Sequence, residues 1–87
     1  MTTALPGLRE TLLRLVEQRG PGKTLCPSEV ARALDSEHWR DLMPAVRALG
    51  TQLAEAGAIA VFQKGQRVDP KTARGPIRYG LPTEKGG

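Results

Sequence analysis

The chain has 87 residues, with 13 Lys and Arg against 9 Asp and Glu and a formal net charge of +4. This length suits one domain, which we expect to span residues 1–87 with its core over about residues 6–82, between a frayed N-terminus and a C-terminal tail. One cysteine and one histidine exclude an internal disulfide and are too few for a structural zinc site, so we expect no metal and no cofactor.

No apolar run is long enough to span a membrane. The first ten residues also lack the basic stretch followed by an apolar stretch that marks a secretory signal. The sequence therefore predicts a cytoplasmic protein without a membrane partner.

The first half of the chain predicts two helices around a short strand. A helix begins near Pro6 and ends at the Gly-Pro-Gly of residues 20–22. Residues 23–25 suit one strand at a sheet edge. A second helix follows over residues 26–34, with proline at its first position and glutamate in its first turn. The apolar positions of the first helix follow the helical period and are Leu8, Leu12, Leu15 and Val16.

Residues 42–57 predict the central helix of the fold. Its apolar face has spacings of four, three, four and three, formed by Leu42, Val46, Leu49, Leu53 and Ala56. Arg47 and Thr51 lie on the opposite face. We expect a helical turn over residues 37–42 that leads into this helix. Because Pro44 cannot donate to a preceding carbonyl, we also expect a kink or a new start at Pro44.

The last third of the chain predicts a basic β-hairpin. Residues 58–62 and 77–81 have strand character, and residues 63–76 form a long loop broken by glycine and proline. Between residues 60 and 80, Asp69 stands against five cations, so this segment carries the whole net charge of +4. Those cations are Lys64, Arg67, Lys71, Arg74 and Arg78. This asymmetry favours a polyanionic partner, although a solvated hairpin that keeps the protein soluble is the alternative.

The predicted order is helix, short strand, helix, helix, strand, long loop, strand. This is the order of a winged helix-turn-helix. We therefore predict an α+β fold, mainly α, of three helices plus a two- to three-stranded β wing.

Three stretches of the chain resemble one known family. They are RGPGKTLCPSEVARAL at residues 19–34, WRDLMPAVRALG at residues 39–50 and QKGQRVDPKTARGPIRYGL at residues 63–81. They resemble a family of small bacterial proteins known as the domain of unknown function 3253 family. The resemblance covers nearly the whole chain and implies a winged-helix fold. It implies no reaction and no functional residues.

Candidate catalytic motifs are weak. The Gly-Lys-Thr of residues 22–24 does not complete the pattern of a phosphate-binding loop, because Glu17 stands where the pattern needs glycine and a helix precedes it. His38 has no nucleophile or carboxylate set around it, so we expect a surface histidine. We expect Cys26 to be a partly buried structural thiol. The sequence therefore predicts no catalytic residues and no enzyme, and an anion pocket at the glycine turns is disfavoured.

The three aromatic side chains divide between core and surface. We expect Trp39 to seal the corner between the second and third helices, and Tyr79 to lie in the core. Phe62 points outward if Ile59 and Val61 point inward, so contact with a sugar or with a partner protein stays open.

The leading hypothesis is a nucleic-acid-binding protein, with duplex DNA favoured over RNA and a role like that of a transcription regulator. Arg47 and Thr51 would face the bases, and the five cations of the loop would contact phosphates. If all five engage, log affinity falls against log salt with a slope of about −4 to −5. Because Arg47 is the only firm cation on the central helix and Glu55 lies on the same side, we expect weak or low-specificity binding.

The alternative hypothesis is a protein–protein interaction module without catalytic activity. It would use Phe62, the sheet edge and apolar residues near the N-terminus, and a homodimer stays open.

Overall fold

The structure, a computed structural model, describes residues 7–82. The element order is α1 (Leu8–Arg19), β1 (Thr24–Leu25), α2 (Pro27–Leu34), α3 (Trp39–Glu55), β2 (Ala60–Gln63), β3 (Gln66–Val68) and β4 (Arg78–Gly80). The predicted α+β, mainly α class with winged helix-turn-helix order is confirmed. The predicted helix start at Pro6 and most of the predicted tail lie outside the described residues.

Local signals place the first two helices where the sequence predicts them. Gly20 follows α1 with a φ of 92°, a conformation that glycine adopts without steric cost. Pro27 is the first residue of α2, and the Glu29 carboxylate accepts the backbone N–H of Cys26 at 3.1 Å. This contact satisfies a backbone donor that the helix itself leaves free.

Helix α3 is one continuous helix from Trp39 to Glu55, with Pro44 inside it. The turn predicted over residues 37–42 is therefore the first part of α3, beginning at Trp39, and a new helix start at Pro44 is wrong. The Asp35 carboxylate accepts the backbone N–H groups of Glu37 and His38, each at 3.1 Å, and so orders the chain just before α3. Pro44 itself is exposed, so the backbone carbonyl that it leaves without a donor can be solvated.

The apolar face predicted for α3 is largely correct. Val46 and Leu53 are buried, and Leu42 and Leu49 are half-buried. Ala56 is exposed because the helix ends at Glu55, before the face completes another turn.

The four strands form one antiparallel sheet in the order β1-β4-β2-β3. Strand β1 is an edge strand, as predicted. The long loop predicted over residues 63–76 contains strand β3, which the sequence does not predict and which brings the sheet to four strands instead of the two or three predicted for the wing. Lys64 and Gly65 have φ values of 53° and 80°, the left-handed pair that a two-residue hairpin turn requires. We call residues 64–77, between β2 and β4, the wing.

Tyr79 joins the sheet to α3 in the core. It is fully buried, as predicted, and its ring lies against Gly50 of α3. A Cβ atom placed on Gly50 would lie 2.3 Å from the Tyr79 hydroxyl oxygen. A glycine inside this helix is therefore required by the close approach of α3 and β4.

Arg19 ties together the corner formed by α1, β1 and α2. Its guanidinium donates to the Thr24 carbonyl at 2.9 Å and forms an ion pair with the Glu29 carboxylate. Burial alone would raise the pKa of Glu29, but the hydrogen bonds from Arg19 and the Cys26 N–H and the charges of Arg19 and Arg78 outweigh burial and lower that pKa.

Candidate nucleic-acid interface

The exposed side of α3 carries a row of polar side chains, which we call the α3 row: Arg40, Arg47, Thr51 and Glu55. At about 100° per residue these four positions fall within one sector of the helix. Both arginines are exposed. They are seven residues apart, so they lie about 10 Å apart along the helix axis. The sequence prediction names Arg47 and Thr51 but misses Arg40, because it begins the helix at residue 42.

Arg40 and Arg32 flank the half-buried ring of Trp39. Their guanidinium carbons lie 4.5 Å and 4.4 Å from the ring centroid. Since Arg32 belongs to α2 and Arg40 to α3, Trp39 closes the corner between these helices, as predicted. Stacking on a ring face leaves the in-plane N–H donors of Arg40 free to point outward.

Thr51 is engaged within its own helix. Its hydroxyl donates to the Arg47 carbonyl at 3.1 Å, within its own helix. The hydroxyl proton is therefore already committed, and Thr51 can offer a ligand only an acceptor.

An ion pair connects the end of the α3 row to the wing. The Lys71 ammonium lies 3.0 Å from the Glu55 carboxylate. The hydrogen bond and the charge of Glu55, with a smaller contribution from Asp69, raise the pKa of Lys71. The sequence predicts that Lys71 contacts phosphate, but its ammonium is already paired with Glu55. It instead neutralises the one carboxylate of the α3 row.

A single helical turn in the wing holds Lys71 in position. The Asp69 carboxylate accepts the Lys71 N–H at 2.9 Å, and the Asp69 carbonyl accepts the Ala73 N–H at 2.9 Å. Ala73 packs against the core. Asp69 therefore caps the single turn that follows it at Pro70.

Lys64 and Arg74 lie at a cleft of about 460 Å³ where the wing meets the ends of β1 and β2. Gln63 organises this region, because its side-chain amide donates to the Arg74 carbonyl and, at 3.1 Å, to the Pro76 carbonyl. Both cations are exposed, and neither forms an ion pair with a carboxylate in the described part of the chain.

Arg78 also lines this cleft, but its guanidinium is engaged by β1. It donates to the Thr24 hydroxyl at 2.7 Å, to the Thr24 carbonyl at 3.0 Å and to the Cys26 sulfur at 3.0 Å. Cys26 is the partly buried thiol that the sequence predicts. Arg78 therefore secures the edge strand and has few donors left for a phosphate.

Arg67 lies on the outer face of the sheet, the face turned away from the helices. It stands directly opposite Phe62, whose other cross-strand neighbour is Arg78. Phe62 is half-buried.

The seven predicted residues thus fall into three groups. Arg47, Thr51 and Lys71 belong to the α3 row and its junction with the wing. Lys64 and Arg74 lie at the wing cleft. Arg67 and Arg78 belong to the outer sheet face. The missed residue is Arg40, which the helical period reveals once the helix is extended back to residue 39.

The described residues contain no group of three or more His, Cys, Asp and Glu that could hold a metal ion. Within the same part of the chain, every helix is too short or too polar to cross a membrane.

No curated protein matches the chain. A family described as "Protein of unknown function (DUF3253)" matches residues 6–82. Because this match spans nearly the whole chain, the protein belongs to that family.

Proposed function

We propose that this protein binds duplex DNA through the α3 row and the adjoining wing. The observation that carries the proposal is the junction between them. The helix presents two exposed arginines in line, and the only acid in that line, Glu55, is neutralised by Lys71 of the wing. The row therefore offers net positive charge to a phosphate backbone.

The geometry supports a helix-in-groove contact. An α-helix fits the major groove of B-DNA, and a wing beside it can reach the flanking backbone. Arg40 and Arg47 would lie at the groove, and Lys64 and Arg74 would contact phosphates. Guanidinium groups suit phosphate because they donate two parallel hydrogen bonds.

The side chains of the row favour low specificity. Thr51 has its hydroxyl proton committed within the helix, and the row contains no asparagine or glutamine that could pair with adenine. Binding should therefore rest mainly on phosphates and vary little between DNA sequences, as in a weak or auxiliary regulator.

The test compares two double variants with the same loss of charge. Arg40→Ala with Arg47→Ala removes both arginines of the α3 row. Arg9→Ala with Arg14→Ala removes two exposed arginines of α1. Binding to a blunt duplex of 20 base pairs is measured by fluorescence anisotropy at low salt.

We expect the α3 variant to lose at least tenfold in affinity, uniformly over several duplex sequences, and the α1 variant to lose much less. Equal losses would mean that only net charge matters. In that case, or if the wild-type protein does not bind, the proposal fails.

A further inference from the structure

The outer face of the sheet carries a second arrangement of cations around an aromatic ring. Phe62 of β2 lies between Arg67 of β3 and Arg78 of β4, each directly opposite it in register. Val61 and Tyr79, the neighbours along the strands, are buried on the inner face. Since side chains alternate between faces, Phe62 and the two arginines share the outer face.

The position of the Phe62 ring depends on a glycine beside it. A Cβ atom on Gly80 would lie 3.1 Å from the Cε1 atom of Phe62. The ring therefore extends over the backbone of β4 at the one position that has no side chain. This supports one side of the ring and leaves a half-buried aromatic at the surface.

A cleft of about 470 Å³ opens beside this ring. Its walls bring together three cations, Lys23, Arg67 and Arg78, and no acidic residue is found among the described residues that line it. Gly22 and Gly65 stand at its rim, where the lack of side chains allows a ligand backbone to approach. Apart from Phe62, Leu81 is its one large apolar side chain, which is too little for a hydrophobic protein interface.

We propose that this cleft binds single-stranded nucleic acid, with one unpaired base stacked on Phe62 and the neighbouring phosphates held by Lys23 and Arg67. A base has a π-face that stacks on an aromatic ring whatever its sequence, and the cations track the charged backbone. Arg78 lines the cleft and adds positive charge. It is not assigned a phosphate, because three of its N–H donors already bind Thr24 and Cys26. Phe62 and Arg67 lie on the face of the sheet opposite the helices, whereas Arg40 and Arg47 belong to α3. Arg78 lines both this cleft and the wing cleft.

The experiment measures binding of a fluorescein-labelled ten-residue oligothymidylate at low salt. Three single variants are compared with the wild-type protein: Phe62→Leu, Phe62→Trp and Arg67→Ala. Phe62→Leu should weaken binding by about fivefold or more, the lower end of the loss seen when a stacking side chain is removed. Phe62→Trp should retain the wild-type affinity, and Arg67→Ala should weaken it and flatten its salt dependence.

A change in the ligand provides a test that does not depend on any variant folding. The wild-type protein should bind oligothymidylate at least fivefold more tightly than an abasic strand of the same length and charge. Equal affinity for the two strands, or full binding by a folded Phe62→Leu variant, would overturn the proposal.

Binding to blunt duplex distinguishes this single-strand site from the proposed duplex site on the α3 row. Phe62→Leu should leave duplex binding unchanged, and the double variant of Arg40 and Arg47 should leave oligothymidylate binding within about twofold. If the wild-type protein binds the duplex but not the single strand, the site on the sheet is wrong and the α3 row is unaffected. Reversible self-association through the sheet, without nucleic-acid binding, would also overturn it.

Discussion

Tyr79 is the residue that sets the distance between the sheet and α3. Its ring fills the space above Gly50, and its hydroxyl has no hydrogen-bond partner among the described residues. Burial raises the pKa of the Tyr79 phenol to about 12, although the positive charge of Arg47 opposes this rise. One glycine and one tyrosine thus determine how α3 lies on the sheet, and with it the direction in which the α3 row faces.

The variant Gly50→Ala tests this contact. In an exposed helix, alanine is favoured over glycine by about 1 kcal/mol. Here the new methyl group would overlap the Tyr79 ring, so we expect the free energy of unfolding to fall by about 1–3 kcal/mol. Urea denaturation measures it. Ala48→Gly, at an exposed position of the same helix, is the control and should lose about 1 kcal/mol. A Gly50→Ala protein more stable than wild type would refute the packing described.

The Tyr79 hydroxyl predicts a second effect, at high pH. The unfolded chain loses this proton near pH 10.0, whereas the folded chain holds it to about pH 12. The folded state therefore binds more protons between these values, and stability falls as pH rises through that window. Between pH 8 and pH 11 this effect amounts to about 1.4 kcal/mol.

The Tyr79→Phe variant should lack this part of the decline. It should be no less stable than wild type at pH 7, because it removes a buried hydroxyl without a partner. Urea midpoints of both proteins at pH 8 and pH 11 give the comparison. Parallel decline of the two proteins would show that the phenol is not buried.

Among the elements, α1, β1 and α2 could be predicted from the sequence, and β3 could not. The first three are marked by local signals: helical apolar spacing, the glycines after α1, and Pro27 at the start of α2. Strand β3 has the sequence Gln-Arg-Val, which carries no strand pattern of its own. It forms because the turn at Lys64 and Gly65 brings it back onto β2.

The candidate site shows the same limit. Arg47 can be placed on the exposed side of α3 from the sequence because helical geometry is local. Arg78 is predicted as a phosphate contact, but its partners Thr24 and Cys26 are 54 and 52 residues away in the sequence. The sequence predicts a helical turn over residues 37–42 but does not join it to the central helix as one element, because Pro44 suggests a break. Only the contacts of Asp35 just before the helix explain why it begins at Trp39.

The ion pair between Arg19 and Glu29 predicts how the α1–α2 corner responds to acid. The pKa of Glu29 lies below its ordinary value of 4.5 in the folded protein. This carboxylate therefore adds stability above pH 4.5, and the contribution is lost as pH falls through the folded pKa. Because both side chains are about one-third exposed, solvent screening keeps the contribution below about 1 kcal/mol.

Glu29→Gln should be slightly less stable than wild type at pH 7, with the difference shrinking towards pH 3. Urea midpoints across this range measure it, with Glu17→Gln on the exposed side of α1 as the control. A constant difference at all pH values would show that the charge of Glu29 is not responsible.

The junction between α3 and the wing predicts a gain of function. Glu55→Gln would remove the carboxylate of the α3 row and release Lys71. We expect blunt duplex to bind several-fold more tightly. The slope of log affinity against log salt should become steeper by about 0.9, the change expected for one more phosphate contact. Glu17→Gln, which makes the same change of charge on α1, is the control. Weaker duplex binding by the Glu55→Gln protein would mean that the junction does not face DNA.

At the scale of the whole molecule, the cations predicted to form one basic hairpin surface lie on two surfaces, which Arg78 connects. The α3 row and the wing residues Lys64, Lys71 and Arg74 form the proposed duplex surface, and the outer sheet face holds Phe62 between Arg67 and Arg78. Residues 60–80 carry the whole net charge. In the folded protein their cationic side chains lie on different surfaces. Phe62→Leu and the double variant of Arg40 and Arg47 should therefore act independently on single-stranded and duplex ligands.

A salt titration of blunt-duplex binding tests the central claim most directly. Four cations that form no ion pair within the described residues are assigned to the duplex surface, namely Arg40, Arg47, Lys64 and Arg74. We therefore predict that log affinity falls against log salt with a slope of about −3 to −4, and that the double variant Arg40→Ala with Arg47→Ala reduces the magnitude of that slope by about two. A flat salt response, or the same slope in this variant as in wild type, would contradict the account.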